Sequence, residues 1–399
     1  MAASRNVIVA GAGIGGLTAA LALAQRGLRV TVLEQAERLE ESGAGIQLSP
    51  NATRVLLALG LEQRLRPCVV APEAIEIATA AGRRLARPRL GEAAAARYGA
   101  PYWVIHRGDL QTALVEAVRE HPDIELRLGT RVEDYVLHSH GISVAGRHGA
   151  EPADERGIAL IGADGLWSPL RARLGHRQAP NFRQRTAWRA LLPAAKVEPA
   201  FAEPVVRLWL GRNAHLVHYP VRGGALINIV AIVHDRDARS GWNGAGAREE
   251  LIARFSASQW SERARAVVAA PERWQTWSLY DLKPLRRWGS GPVTLLGDAA
   301  HPTLPFLAQG AAMAIEDAAV LAASLAHTPD DPAGALRRYE AARRPRVAAA
   351  QRNARRNGAI YHAGGAVALA RNLYLRVTGN RLLRSQDWLY SWRPVPPYP

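Results

Sequence analysis

The sequence predicts an α/β protein: a Rossmann-type domain on a parallel sheet, an antiparallel β-sheet inserted into it, and C-terminal helices. Three observations carry that expectation. A glycine-punctuated strand, turn, helix and strand opens the 399-residue chain, and two later buried-strand patterns, ending near Asp164-Gly165 and Gly297-Asp298, return to the same sheet. Between them, from about Arg177 to Leu285, the texture changes to alternating strands with scattered tryptophans.

Val7 to Ala10 is the apolar run of a buried parallel strand. Gly11, Gly13 and Gly16 follow as GxGxxG, then a helix from Ile14 to about Gln25 and a strand from Arg29 to Leu33 that ends on Glu34. In that context the glycines make a tight turn, let backbone approach a pyrophosphate and let helix and strand pack closely. The helix N-terminus offers unpaired N–H groups and a positive dipole end to phosphate, and Glu34 is placed to accept from ribose hydroxyls. The loop alone does not separate NAD from FAD.

A loop from Glu41, with Gly43 and Gly45, permits close approach of a flat ligand and leads to a helix near Asn51. A strand is expected at Tyr102 to His106 and a helix at about Asp109 to Glu120; residues 124–146 alternate as strands with a turn near Gly141. The next buried strand reaches Asp164, with a helix near Ser168. Two apolar runs around Arg222-Gly223-Gly224 predict an antiparallel hairpin. Alternation along Ala214 to Pro220 sets His215, Val217 and Tyr219 on one face and Leu216 and His218 on the other. "VTLLGDAAH" closes a strand at Asp298, and a helix runs from about Gln309 to Leu325. Long helices follow, then an irregular proline-rich tail from Ser391. The expected division is nucleotide domain 1–176, inserted sheet 177–285, return segment and helix 286–358, and a helical or irregular tail 359–399.

Composition narrows the function classes. No apolar run approaches the roughly 20 residues that span a bilayer, and residues 1–6 leave no room for a signal peptide before the first strand, so no membrane partner is expected. Cys68 is the only cysteine, which excludes an internal disulfide and a multi-cysteine metal site. No metal is expected, and a reducing cytoplasm fits. Fifty-one basic against thirty-five acidic residues give +16, yet Lys196 and Lys283 are the only lysines. The arginine excess reads as compositional bias, not as a nucleic-acid surface. Its densest tract, Arg337 to Arg356, reads as a solvated helix face, and the net charge would attract an anionic substrate and the phosphates of a second nucleotide.

Taken in order, the N-terminal loop, "GADGLWSPLR" and "LLGDAAHPTLPFLAQGAAMAIEDA" resemble the flavoprotein aromatic hydroxylases. These are single-component class A monooxygenases related to salicylate hydroxylase, hydroxybenzoate hydroxylases and 6-hydroxynicotinate 3-monooxygenase. The resemblance runs from Val7 to about Gly358 and implies FAD, with NADH or NADPH and O2 as co-substrates and a flavin C4a-hydroperoxide as oxygen donor. It implies cofactor contacts from Gly11, Gly13, Ile14, Gly15, Gly16, Glu34, Gln47, Arg107, Val132, Asp164, Asp298, Gly310 and Ala311. The backbone at Gly310 and Ala311 would face the flavin pyrimidine. The His-x-x-x-Tyr spacing of His215 and Tyr219 is similar to the ring-pocket residues of 3-hydroxybenzoate hydroxylases, with His215 either a base for a phenol or its hydrogen-bond partner. Pro305, four residues after His301, departs from the glutamine of the 3-hydroxybenzoate pattern, and Phe306 adds an apolar wall. The implied substrate is therefore a small phenolic acid, salicylate-like first, taken by a monomer or homodimer. A related flavoprotein reductase or oxidase, or a flavin-binding regulator without turnover, are the other readings.

Overall fold

The computed structural model describes residues 5–39, 44–139, 141–239 and 244–394. Glu41 and Gly43 of the expected ligand-facing loop, and residues 395–399 of the tail, lie outside them. Asn6–Ala10 and Arg29–Leu33 are parallel neighbours joined by the helix Ile14–Ala24. Every residue of the first strand is buried, as expected of a parallel strand covered on both faces. Ala159–Gly162 and Val293–Leu295 extend one side and Ile124–Arg127 the other, giving five parallel strands. The strand expected to reach Asp164 stops at Gly162. Asp164 therefore stands in the loop beyond the sheet's carboxyl edge, where open α/β sheets place ligands.

The second sheet has eight strands, in the order Gly244–Gly246, Trp274–Asp281, Asn181–Pro193, Leu226–His234, Ala214–Val221, Val205–Gly211, Ala74–Thr79 and Arg84–Ala86. Pairing is antiparallel throughout except where Val205–Gly211 runs parallel to Ala74–Thr79. The last two strands come from before the stretch from which the sheet was expected. One face of the sheet carries Trp188, Trp209 and Leu216 under the helices Arg248–Arg254 and Glu262–Ala269. The other carries Ala187 and Ile232 against Leu304, Phe306 and Ala354 of the returning segment. The sheet meets the nucleotide domain at Gly45, whose N–H donates to Asn228 Oδ1 at 2.7 Å. A Cβ at Gly45 would lie 2.6 Å from the Tyr219 ring. Among the described residues no helix is long and apolar enough to cross a membrane.

Helices Gly310–His327 and Pro332–Tyr361 are pinned together by buried charge. Arg343, 1% exposed, donates from Nη1 to Glu316 Oε2 at 2.5 Å and from Nε to Asp317 Oδ1 at 2.6 Å, and both carboxylates are fully buried. Arg346 adds two bonds of 2.7 Å to Glu316. The Arg337–Arg356 tract is therefore only in part a solvated face: Arg338, Arg352 and Arg356 are exposed. Arg343 and Arg346 turn inward to compensate the buried Glu316 and Asp317, and Arg355 joins Arg183 on the buried Asp281, each at 2.6 Å. Burial pushes the Asp317 pKa up, but His301 and Arg343 outweigh it and hold the carboxyl below the ordinary range.

Replacing Arg343 by leucine leaves these carboxylates under-compensated, and we expect a loss of about 3–5 kcal/mol in urea unfolding. The folded Asp317 pKa lies below its unfolded value of about 3.9. Its contribution is thus present above that value and lost as pH falls through the folded pKa. The gap between wild type and Arg343→Leu should therefore narrow in acid. A loss under about 1 kcal/mol at pH 7 would mean that the pair does not hold the helices.

Candidate active site

The glycine loop forms a groove at the carboxyl edge of the parallel sheet. Gly16 is dictated by close approach, since a Cβ there would sit 1.9 Å from the Gly11 carbonyl oxygen. Gly11, at φ +109°, would place a Cβ 2.4 Å from Ala163 O. Gly13 differs: it N-caps the helix with no side-chain bond, and a Cβ there meets nothing within 4 Å. The helix terminus thus faces open space with unfilled donors. Ile14 is buried, and Gly15 lies against Leu296 and Ala314 of the returning segment, so its missing side chain serves helix packing.

Glu34 accepts from Ala12 N at 2.7 Å and Ala36 N at 2.9 Å. It shapes the loop while keeping carboxylate lone pairs for a ribose. Arg107 begins the helix Arg107–Glu120, and its guanidinium has no hydrogen-bond partner among the described residues. Val132 contributes a core side chain, 8% exposed, beside the register shift in the strand Thr130–His138. Asp164 is half cap and half free: Oδ2 accepts from Leu170 N at 3.1 Å, while Oδ1 is buried without a partner. Burial raises its pKa. Asp298 opens onto the groove, yet surrounding protein raises its pKa against the lowering pull of His301, Arg107 and Arg171. A Cβ at Gly310 meets nothing within 4 Å, and Ala311 follows it at the start of a helix with no side-chain cap. An orphaned carboxylate oxygen, a free guanidinium and two uncapped helix N-termini facing open space fit a dinucleotide with polar and anionic groups.

The buried charges set this groove. Asp317 Oδ2 accepts from Gly297 N at 3.1 Å and bonds His301 Nε2 at 2.6 Å, fixing the turn that carries Asp298. Asn51 reaches Glu316 at 2.6 Å and Gln309 at 3.1 Å, and Gln309 reaches Ser49 Oγ at 2.8 Å.

Beside the groove lies a cavity of about 670 Å³, walled by Ile75, Leu208, Val217, Phe306 and Leu375, with His215, Pro305 and Gln47 on its surface. Gln47 Oε1 accepts from Tyr102 OH at 2.6 Å, and Gln47 lies close enough to Tyr219 to exert a lowering pull on its pKa. Tyr219 is buried, and its pKa is raised chiefly by that burial. His215 is 2% exposed, with ring centroids 5.6 Å from Phe306 and 5.5 Å from Tyr361. His218 points the opposite way, between Phe201 and Trp209. Pro305 opens a short 3-10 turn and offers a substrate no side-chain donor.

Several groups escaped the sequence reading. His362 bonds His215 Nδ1 at 2.7 Å, and Arg185 bonds His362 at 2.7 Å. Arg189 lies over Trp277, 4.4 Å from the ring centroid, with Nε buried and unpaired, and burial with Arg107 nearby lowers its pKa to about 10. Alternation along "TAWRALLP" could have placed Arg189 on the cleft face; nothing local marks His362.

A family model for the FAD binding domain matches residues 4–354. The chain is 38% identical over 388 residues to a 3-hydroxybenzoate 6-hydroxylase of Polaromonas naphthalenivorans (strain CJ2), covering 97% of this chain and 96% of that one. It superposes with TM-score 0.85 on Klebsiella pneumoniae HpxO complexed with FAD and uric acid, at 26% identity over 98% and 97% of the two chains. A salicylate hydroxylase substrate complex gives TM-score 0.82 at 25% identity, over 98% and 97%. The chain belongs to the FAD-binding-domain family.

Proposed function

We propose that this member of the FAD-binding-domain family is an NAD(P)H- and O2-dependent aromatic-ring monooxygenase that hydroxylates a small phenolic acid. The carrying observation is a largely apolar cavity beside the nucleotide groove, with a buried histidine on its wall. FAD would be held by the glycine loop, Glu34, Arg107, Asp164, Asp298 and the backbone at Gly310 and Ala311, with Gln47 at the junction of groove and cavity. When bound it supplies the redox chemistry with reduced nicotinamide and oxygen.

The chain's residues do the rest. Apolar side chains from the large sheet and from helix Gly365–Thr378 keep water from the ring. His215 meets the phenol oxygen, with Tyr219 on the same face of its strand. Arg356 and Arg371 are the arginines on the cavity wall, and Arg371 already bonds the carbonyls of Ile360 and Tyr361. Arg356 is thus the better partner for a substrate carboxylate. Likeness to proteins named for 3-hydroxybenzoate and salicylate supports a hydroxybenzoate. Pro305 offers no side-chain hydrogen bond, which favours salicylate-like acids within that class.

Purified protein should oxidise NADH or NADPH faster with one of salicylate, 3-hydroxybenzoate or 6-hydroxynicotinate, and chromatography should show a dihydroxylated product. If none accelerates oxidation, or if hydrogen peroxide is the sole product with each, the hydroxylase reading fails. Asp298→Ala should weaken FAD binding by roughly 10- to 100-fold, the scale of a hydrogen bond to a charged group. Fluorescence titration of the apoprotein measures it, and unchanged affinity in a folded variant would take Asp298 out of the cofactor site.

A further inference from the structure

His215, His362 and Arg185 form a buried chain of hydrogen bonds whose direction can be worked out from one end. Arg185, on the strand Asn181–Pro193, donates from Nε to His362 Nδ1 at 2.7 Å. A guanidinium has no acceptor and keeps its protons, so His362 Nδ1 must accept. A neutral imidazole then carries its proton on the other nitrogen, and His362 Nε2–H donates to His215 Nδ1 across 2.7 Å. The same rule places the proton of His215 on Nε2. These tautomers are assigned from the network, with arginine as its fixed point. His215 Nε2 has no hydrogen-bond partner among the described residues, and the residue lines the cavity.

Both rings are neutral. Burial, then Arg185, pushes the His215 pKa down to about 3, and burial with His215, Arg185, His234 and Arg371 pushes His362 to about 2. The groups acting on the pair are thus Arg185 of its strand, His234 of Leu226–His234 and Arg371 of Gly365–Thr378. No carboxylate is among them.

We propose that Arg185 and His362 are positioning residues that lock His215 as an Nε2–H donor, so that it hydrogen-bonds a phenolate oxygen and does not take the phenol proton. The proposal rests on the phenolic-substrate reading above for its ligand. A base needs a free lone pair facing the phenol, and Nε2 has none in this tautomer. Protonating Nδ1 instead would set an N–H of His215 against the N–H of His362. The phenol O–H therefore loses its proton to solvent water on binding, the electron pair stays on oxygen, and the anion receives a charge-assisted hydrogen bond from Nε2–H. Helix Pro332–Tyr361 ends immediately before His362, so the relay also ties the helical return segment to the strand bearing His215.

Two measurements on the FAD-loaded protein test this separately from the substrate reading. In histidine-labelled 15N spectra at pH 7, with peaks assigned through His215→Gln, the His215 ring should be protonated at Nε2 and bare at Nδ1. A proton on Nδ1 would overturn the relay whatever the substrate is. In absorbance titrations with 3-hydroxy-4-nitrobenzoate as probe, the bound phenol should ionise at least about 10-fold more readily than the free one, the scale of one charge-assisted bond. Arg185→Leu and His362→Leu should abolish that gain. His362→Gln should keep it, because an amide oxygen can accept from Arg185 while its NH2 donates to His215. Equal gains in all variants, or loss in His362→Gln alone, would refute the polarity argument. A probe that fails to bind, with Nε2–H seen by NMR, would count against the phenol reading only.

Discussion

The site depends on two carboxylates that are adjacent in sequence and have no access to water. Glu316 and Asp317 sit one turn and more inside the helix Gly310–His327, both at zero exposure. Ionised carboxylates there need full compensation. Arg343 and Arg346 supply the charge, and the remaining lone pairs take Asn51, His301 and the Gly297 amide. Asn51 belongs to one part of the groove, and His301 with Gly297 to another. The cluster therefore sets the relative positions of the Asn51 helix, the Asp298 turn and the uncapped helix start at Gly310. A hydrophobic cluster of the same volume could hold the helices together, but it would not orient a turn by its amide.

The large sheet is placed by a different contact, and the placement gives the cavity its two-sided character. Asn228 receives the Gly45 amide, and Tyr219 covers the face of Gly45 where a side chain would stand. That brings the strand with His215 over the groove. Its apolar neighbours line the cavity, with Gln47 and His215 among the polar groups on the wall. Because residues alternate along a strand, the same geometry sends His218 into the aromatic layer behind the sheet, where both its ring nitrogens lack partners.

What the sequence made legible was local or periodic. The glycine loop and Glu34 lie within one β-α-β unit, whose dimensions fix their mutual distance. The opposite faces of His215 and His218 follow from a period of two. The missed features needed partners distant in the chain. His362 meets His215 from 147 residues away, and Ala74–Thr79 finds its parallel neighbour only in Val205–Gly211. The Arg337–Arg356 tract was legible only in part, because charge density says nothing about which arginines face buried acids. Asp164 was legible as an acid beyond a strand, but its division between capping Leu170 and leaving one oxygen bare is a tertiary fact.

The arginine excess also has a structural use that composition conceals. Arg171, 4% exposed, donates to Ala299 O at 3.0 Å and Leu166 O at 2.6 Å, joining the Asp164 loop to the Asp298 turn. Arg346 reaches Trp388 O at 2.7 Å and Leu389 O at 2.8 Å; Arg371 reaches Ile360 O at 2.9 Å and Tyr361 O at 3.0 Å. Arg248 binds Ala269 O and Pro271 O in the same way, and Arg355 reaches Leu282 O while pairing with Asp281. Most of these oxygens lie at chain turns and helix ends, where the regular backbone ladder runs out. One planar guanidinium satisfies two of them at once with its fixed fork, which the compact ammonium of lysine cannot reproduce. Part of the basic excess thus has a structural role inside the fold, and around the cleft Arg107, Arg189 and Arg356 have no acidic partner among the described residues. At ionic strengths with a Debye length of about 8 Å, the pull of these three side chains on any anion is confined to the groove and cavity.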